Sequence, residues 1–176
     1  MAEVLEPIPR PRASFLHRAV GAATLQVEAF EEVEHDRRAN GQAAALVLGV
    51  SLSYGLGRGH FAPVELLADV ALRFAYWGFW AGLTWAIGTK IFEGTATPGE
   101  LVRTLGFAQA PGLLYVFAGI PVLEWFVELG LLVWIVVAAV VAIRQALDVT
   151  TARAVAIGLA GAAVYAALLV ARAWWL

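Results

Sequence analysis

No cysteine occurs among the 176 residues. That absence excludes disulfides, thiolate metal sites and cysteine nucleophiles. Charge is scarce as well: 15% of residues are charged, where a soluble domain carries about a quarter. The net charge of −2 comes without a basic tract or any interleaving of aromatic and basic residues, so nucleic acid is not an expected partner. The amino-terminal "MAEVLEPIPRPRASF" lacks the basic start and apolar run of a secretory signal and is expected to stay uncleaved and soluble. No internal repeat is visible. No Ser-His, Asp-Asp or metal-ligand set recurs at helical spacing. No catalytic, cofactor-binding or metal residue is therefore assigned, and the chain is not expected to be an enzyme.

What remains is apolar. Hydrophobic residues make up 61% of the chain, a membrane composition. Residues 1–12 read as a flexible tail. Residues 13–38 read as one amphipathic, cytosolic or interfacial helix from about Ser14 to Arg38, with Ser14 as its N-cap. Leu16, Val20, Ala23, Val27 and Phe30 form its apolar stripe, and Arg18, Glu28, Glu32 and His35 the opposite, polar side. Residues 39–176 then hold five candidate transmembrane helices: Ala39–Gly57, about Val70–Ile91, about Leu101–Ile120, Val122–Ile143 and Ala154 to about Ala171. Trp77, Trp80 and Trp85 are too many for one interfacial belt, so some face lipid or pack inside, while Trp174 and Trp175 sit at the far interface. The expected fold is all-α and integral to the membrane. With an internal amino terminus, nine of the 12 basic residues fall inside, which favours N-in, C-out. A re-entrant third segment would reduce the spans to four.

Helices in lipid associate through small residues. Four ladders are available: Ala154/Gly158/Ala162/Ala166, Ala138/Ala142/Ala146, Gly78/Gly82 and Ser51/Gly55/Gly59. They serve either packing within the chain or self-association.

"TLGFAQAPGLLYV", Thr104 to Val116, places an amide and a helix breaker inside an apolar run. Pro111 removes its own N–H and frees the Phe107 carbonyl, Gln109 offers a compensating amide, and Gly106 and Gly112 permit bending. One reading is a kinked packing helix. The other is a broken helix lining a cavity, as in transporters. Glu124 and Glu128 stand four apart, Glu124 in the headgroup region and Glu128 a turn deeper, where a structural ion-pair role competes with a functional one. "EEVEHD" reads either as a metal cluster or as a solvated acidic face pairing with Arg37 and Arg38. "IRQALDVTTARAV" is an internal loop whose Arg144, Gln145, Asp148 and Arg153 would pair with Glu100 or Arg103 as sign allows, with Thr150 or Thr151 capping the last helix.

"EEVEHDRRANGQA", "GELVRTLGFAQAPGLL" and "VVAIRQALDVTTARAV" together resemble bacterial members of the Yip membrane-domain family, named for Ypt-interacting proteins. Gly106-Phe107-x-x-x-Pro111 is similar to the Gly-Tyr-x-x-x-Pro of eukaryotic relatives. The resemblance implies a five-helix membrane domain with a cytosolic amino terminus. Eukaryotic members act in vesicle trafficking, bind small GTPases and associate with one another. Their Asp-Leu-Tyr-Gly-Pro-like segment is missing here, which puts GTPase binding in doubt. The expected function is thus a non-enzymatic scaffold, adaptor or accessory subunit in the bacterial cytoplasmic membrane. Its expected partners are lipid, other membrane proteins or itself. The alternative is a small channel or transporter using Gln109 and Glu128.

Overall fold

A computed structural model of the chain describes residues 13–174, with side chains to Val164. The tail 1–12, Trp175 and the side chains of Ala166 and Trp174 lie outside what is described. Among the described residues the fold is wholly helical: α1 Phe15–Ala23, α2 Val27–His35, α3 Ala39–Gly57, α4 Pro63–Lys90, α5 Pro98–Phe107, a 3-10 helix Ala110–Gly119, α6 Glu124–Ala146 and α7 Thr151–Trp174.

The amino-terminal helix is two helices, not one. Ser14 caps α1 as expected, its hydroxyl accepting from the His17 N–H at 3.2 Å. The helix then stops at Leu25, which takes a left-handed φ of 62°. The Gln26 N–H returns to the Gly21 carbonyl at 2.9 Å, a closure usually made with glycine at the turn. With a leucine there, "AATLQ" carries no stop signal. The break also shifts the buried face. Leu16 and Val20 are exposed, whereas Arg18, placed on the polar side by its spacing, is 2% exposed and faces inward. On α2 the stripe holds, with Phe30 and Val33 fully buried.

α3 occupies the expected Ala39–Gly57, while α4 begins seven residues before the expected Val70, at Pro63. Proline at a first helical position costs no hydrogen bond, and the Glu65 carboxylate accepts from the Ala62 N–H at 3.1 Å. α5 begins with a complete capping box. Thr97 Oγ1 accepts from the Glu100 N–H at 3.3 Å, and Glu100 Oε2 accepts from the Thr97 N–H at 2.8 Å. At the carboxyl end, Thr150 rather than Thr151 caps α7, its hydroxyl accepting from the Arg153 N–H at 3.4 Å.

Leu101, Phe107, Ile143, Leu147 and Ile157 join Phe30 and Val33 in the core. Large side chains cover the outside: Leu132, Val133, Val136 and Val137 of α6 are all exposed. α6 is long and apolar enough to cross a membrane by itself, yet only 22% of its most apolar 18-residue window is buried. A soluble core helix would be mostly buried, so this surface is one that suits lipid. α5 and the 3-10 helix together make a second such stretch, bent by 41°. Among the described residues no other helix is both long and apolar enough by that measure, so two of the five expected spans are matched by it.

Candidate functional site

The break in the third segment falls at Ala108 and Gln109. Pro111 does not kink a continuous α-helix; it stands in the first turn of the 3-10 helix, where its missing N–H is not needed. Nor does Gln109 satisfy the freed backbone, for its side chain makes no hydrogen bond among the described residues. Ser53 of α3 instead ties down the 3-10 helix that follows. Its hydroxyl donates to the Leu113 carbonyl at 2.8 Å and accepts from the Val116 N–H at 2.9 Å. Ser53 is 60 residues away in sequence, so no local pattern points to it. Glycine lets the two elements approach: a Cβ at Gly57 would overlap the Tyr115 carbonyl, and one at Gly112 would come within 2.7 Å of Val50. Gly106 likewise sits against Ala43 and Trp77.

Behind this break lies a cavity of about 250 Å³. Trp77, Trp80, Leu105, Leu132, Ile135 and Val136 form most of its wall, and Arg73, Gln109 and Tyr115 supply polar atoms. Arg73 lies between two rings, its guanidinium carbon 4.9 Å from the Tyr54 centroid and 5.6 Å from that of Tyr115. Such cation–π contacts hold a charge without neutralising it. Trp77 is fixed in turn by its indole N–H donating to the Val102 carbonyl at 3.0 Å.

Glu128 does not line this cavity. Arg58, at the end of α3, reaches both acids of α6 with one nitrogen, Glu124 at 3.1 Å and Glu128 at 2.8 Å. The i, i+4 spacing puts the carboxylates on one helix face, where they bracket one guanidinium. These groups are 37–51% exposed, so the contribution is that of a surface ion pair. The pair joins the start of α6 to the end of α3, and it separates Glu128 from Gln109.

At the opposite end, three distant segments are drawn together. Arg103 of α5, 5% exposed, donates from Nε to the Val33 carbonyl at 3.1 Å, from one terminal nitrogen to the Glu34 carbonyl, and from the other to Asn40 Oδ1 at 3.3 Å. It thereby closes the last carbonyls of α2, which a helix leaves open. Gln145 of α6 donates to Glu31 at 3.2 Å. Among the described residues "EEVEHD" forms no metal cluster of three ligands, and its Asp36 accepts from the Arg38 N–H at 3.0 Å. The segment holds Arg18, whose guanidinium meets Asp36 at 3.0 Å, Glu32 at 3.4 Å and Gln42 at 3.1 Å. The expected pairing of Arg103 with the α6–α7 loop does not form. Asp148 accepts from Thr95 instead, at 3.4 Å, and adopts a left-handed φ of 51° just after α6. Arg144 and Arg153 are exposed.

Charge at this end is perturbed. Burial pushes the Glu34 carboxyl above the usual range, and Glu100 and Asp148 add repulsion, which His35 and Arg103 partly offset. His35 is also raised, chiefly because its ring donates to the Glu31 carbonyl at 2.9 Å.

The small-residue ladders divide. Ala138, Ala142 and Ala146 are buried as expected. Gly78 and Gly82 face open space, and Gly59 is a turn residue with φ of 78°. Gly158 makes no close approach, since a Cβ there would meet only Ile143, at 3.9 Å. Ser51 and Gly55 are buried, and a Cβ at Gly55 would come within 2.8 Å of Leu66 of α4. Outside the ladders, Leu147 sits over both Gly88 and Gly94.

The three segments that converge at the Arg103 end are those that carried the family resemblance. A family model described as Yip1 domain matches residues 23–172, nearly the whole bundle. No curated protein and no solved structure matches the chain.

Proposed function

The chain belongs to the Yip1 domain family, and from that premise we propose that it is a non-enzymatic multi-pass scaffold or accessory subunit of a bacterial cytoplasmic membrane. In this reading α3, α4, the α5/3-10 pair, α6 and α7 are the five spans. The amino terminus lies inside and the carboxyl terminus outside. α3 at 19 residues is the shortest, about 28 Å at 1.5 Å per residue and close to the hydrocarbon thickness.

One observation carries the proposal. Arg103 and Gln145 tie α2 and the turns of the bundle into one fixed polar face, and Arg37, Arg38, Arg144 and Arg153 stay exposed around it. A rigid, positively fringed face suits docking to an acidic protein segment or to anionic headgroups. A channel or transporter built on Gln109 and Glu128 gains no such support, because one lines the cavity and the other is held by Arg58.

A photo-crosslinking amino acid at Arg144, or at exposed Gly78 of α4, tests the scaffold in native membranes. The expected products are discrete adducts to a second membrane protein or a second copy, identified by mass spectrometry. Adducts to lipid alone from both positions would defeat the proposal.

A further inference from the structure

Arg73 raises a separate question. It belongs to α4, and among the described residues no carboxylate or carbonyl accepts from its guanidinium. Asp69, one turn earlier, lies 2.8 Å from His60 Nδ1 and faces Arg73 through space, without a hydrogen bond to it. Gln109 is likewise without a hydrogen-bond partner, although no fully buried side-chain N or O in the described structure lacks one. The free donors are therefore those that reach open space: Gln109 and Arg73 both line the cavity, and Arg73 stands where it meets a second, more open hollow beside Tyr54 and Asp69. Ionisable groups at such depth ordinarily mark a ligand or a pathway.

The cavity has a direction. Arg73, Trp77 and Trp80 follow one another at i, i+4 and i+7 down one face of α4, so the charge stands at one end and the indoles run away from it. Leu132 and Val136, on its rim, belong to the exposed apolar surface of α6. The cavity thus opens toward the surface suited to acyl chains. Its 250 Å³ exceeds a cavity of ~150 Å³ that accepts a benzene ring, and approaches the ~300 Å³ lower range of small-molecule pockets. A headgroup oxygen cluster with the first part of a chain fits that space.

We propose that this cavity binds an anionic membrane lipid, with the headgroup anion on Arg73, Tyr115 and Gln109 as neutral donors, and one acyl chain along Trp77, Trp80 and Leu132. A zwitterionic lipid would bring its own cation against Arg73. A free anion would leave the apolar wall uncovered. The site therefore reads charge and chain together.

The test uses the full chain in phosphatidylcholine nanodiscs doped with a small fraction of lipid brominated on its acyl chains. Trp77 and Trp80 report bromine in the cavity, over a background from exposed Trp125 and Trp134 that Arg73→Gln leaves unchanged. Brominated phosphatidylglycerol is expected to quench tryptophan fluorescence at a several-fold lower mole fraction than brominated phosphatidylcholine. Arg73→Gln should remove that preference, and Lys90→Gln, exposed at the far end of the same helix, should keep it. Preference equally strong for a brominated fatty acid supports the same site, its carboxylate replacing the phosphate. Equal quenching by the two phospholipids overturns the proposal, whether or not the Arg73 variant folds. So does a preference that survives Arg73→Gln, or displacement of the lipid by millimolar inorganic phosphate.

Discussion

Replacing Arg103 by alanine is expected to be the costliest single change at the polar end of the bundle. The guanidinium is 5% exposed and serves three acceptors, two of them terminal carbonyls of α2. Removing a partner from a buried acceptor costs about 1–3 kcal/mol. The Val33 carbonyl lies inside, whereas Glu34 is half-buried and water would recover part of its loss. Two carbonyls at the lower half of that range give a loss of about 2–4 kcal/mol. In a protein of this size each kcal/mol moves the melting midpoint by about 2–4 °C, so a fall of roughly 5–15 °C is expected. Arg103→Lys should fall between, because a point ammonium cannot span three acceptors that a planar fork reaches at once. The assay is thermal unfolding in mild detergent, with hydrogen exchange of α2 and α5 as the local readout. Loosening should begin in α2, which Arg103 holds. An alanine variant that melts within about one degree of wild type, or a lysine variant fully equivalent to it, would refute the argument.

Glycine substitutions separate close approach from mere composition. Gly57→Ala should destabilise by more than about 1 kcal/mol, since its Cβ meets the Tyr115 carbonyl and backbone cannot yield as a side chain does. Gly78→Ala should be neutral or stabilising by up to about 1 kcal/mol, from helix propensity alone. Parallel melts of the two variants decide this. Ser53→Ala should cost about 1–3 kcal/mol and expose the amide of Val116 to faster hydrogen exchange, because it strips a donor and an acceptor from the 3-10 helix. The carboxyl of Glu34 and the imidazole of His35 both titrate above their ordinary values in the folded chain. Each raised group binds its proton more tightly when folded. Its stabilising effect is present below the unfolded pKa and is lost as pH rises through the folded one. Stability should therefore decline from the acid side of the carboxylate range toward neutral pH. Glu34→Gln should flatten the first part of that decline in a pH series of melts, and His35→Gln the part above the ordinary histidine range.

Much of the helical framework is legible in local pattern. The apolar run from Ala39 to Gly57 is bounded by polar residues and a glycine turn, and α3 begins and ends there. The break predicted around Gln109 and Pro111 is present because proline and its neighbours act within a few residues of themselves. Glu124 and Glu128 share one helix face for the same reason, and Ser14 and Thr150 cap the helices they precede.

Partners were another matter. Arg18 was placed on a polar face by spacing, yet the turn at Leu25 rotates α1 against α2 and carries that arginine inward to Asp36. Ser53 rather than Gln109 bonds the 3-10 helix after the break, and Arg103 answers to α2 rather than to the α6–α7 loop. Periodicity along a chain fixes which residues share a helix face. It cannot fix which face meets which, because those contacts join residues 18 to 114 positions apart and depend on how all the helices pack at once. Helix, break and apolar exterior belonged to the sequence by itself. The arginine held against two tyrosine rings beside an apolar cavity, and the arginine that seals α2, came into being only when the bundle closed.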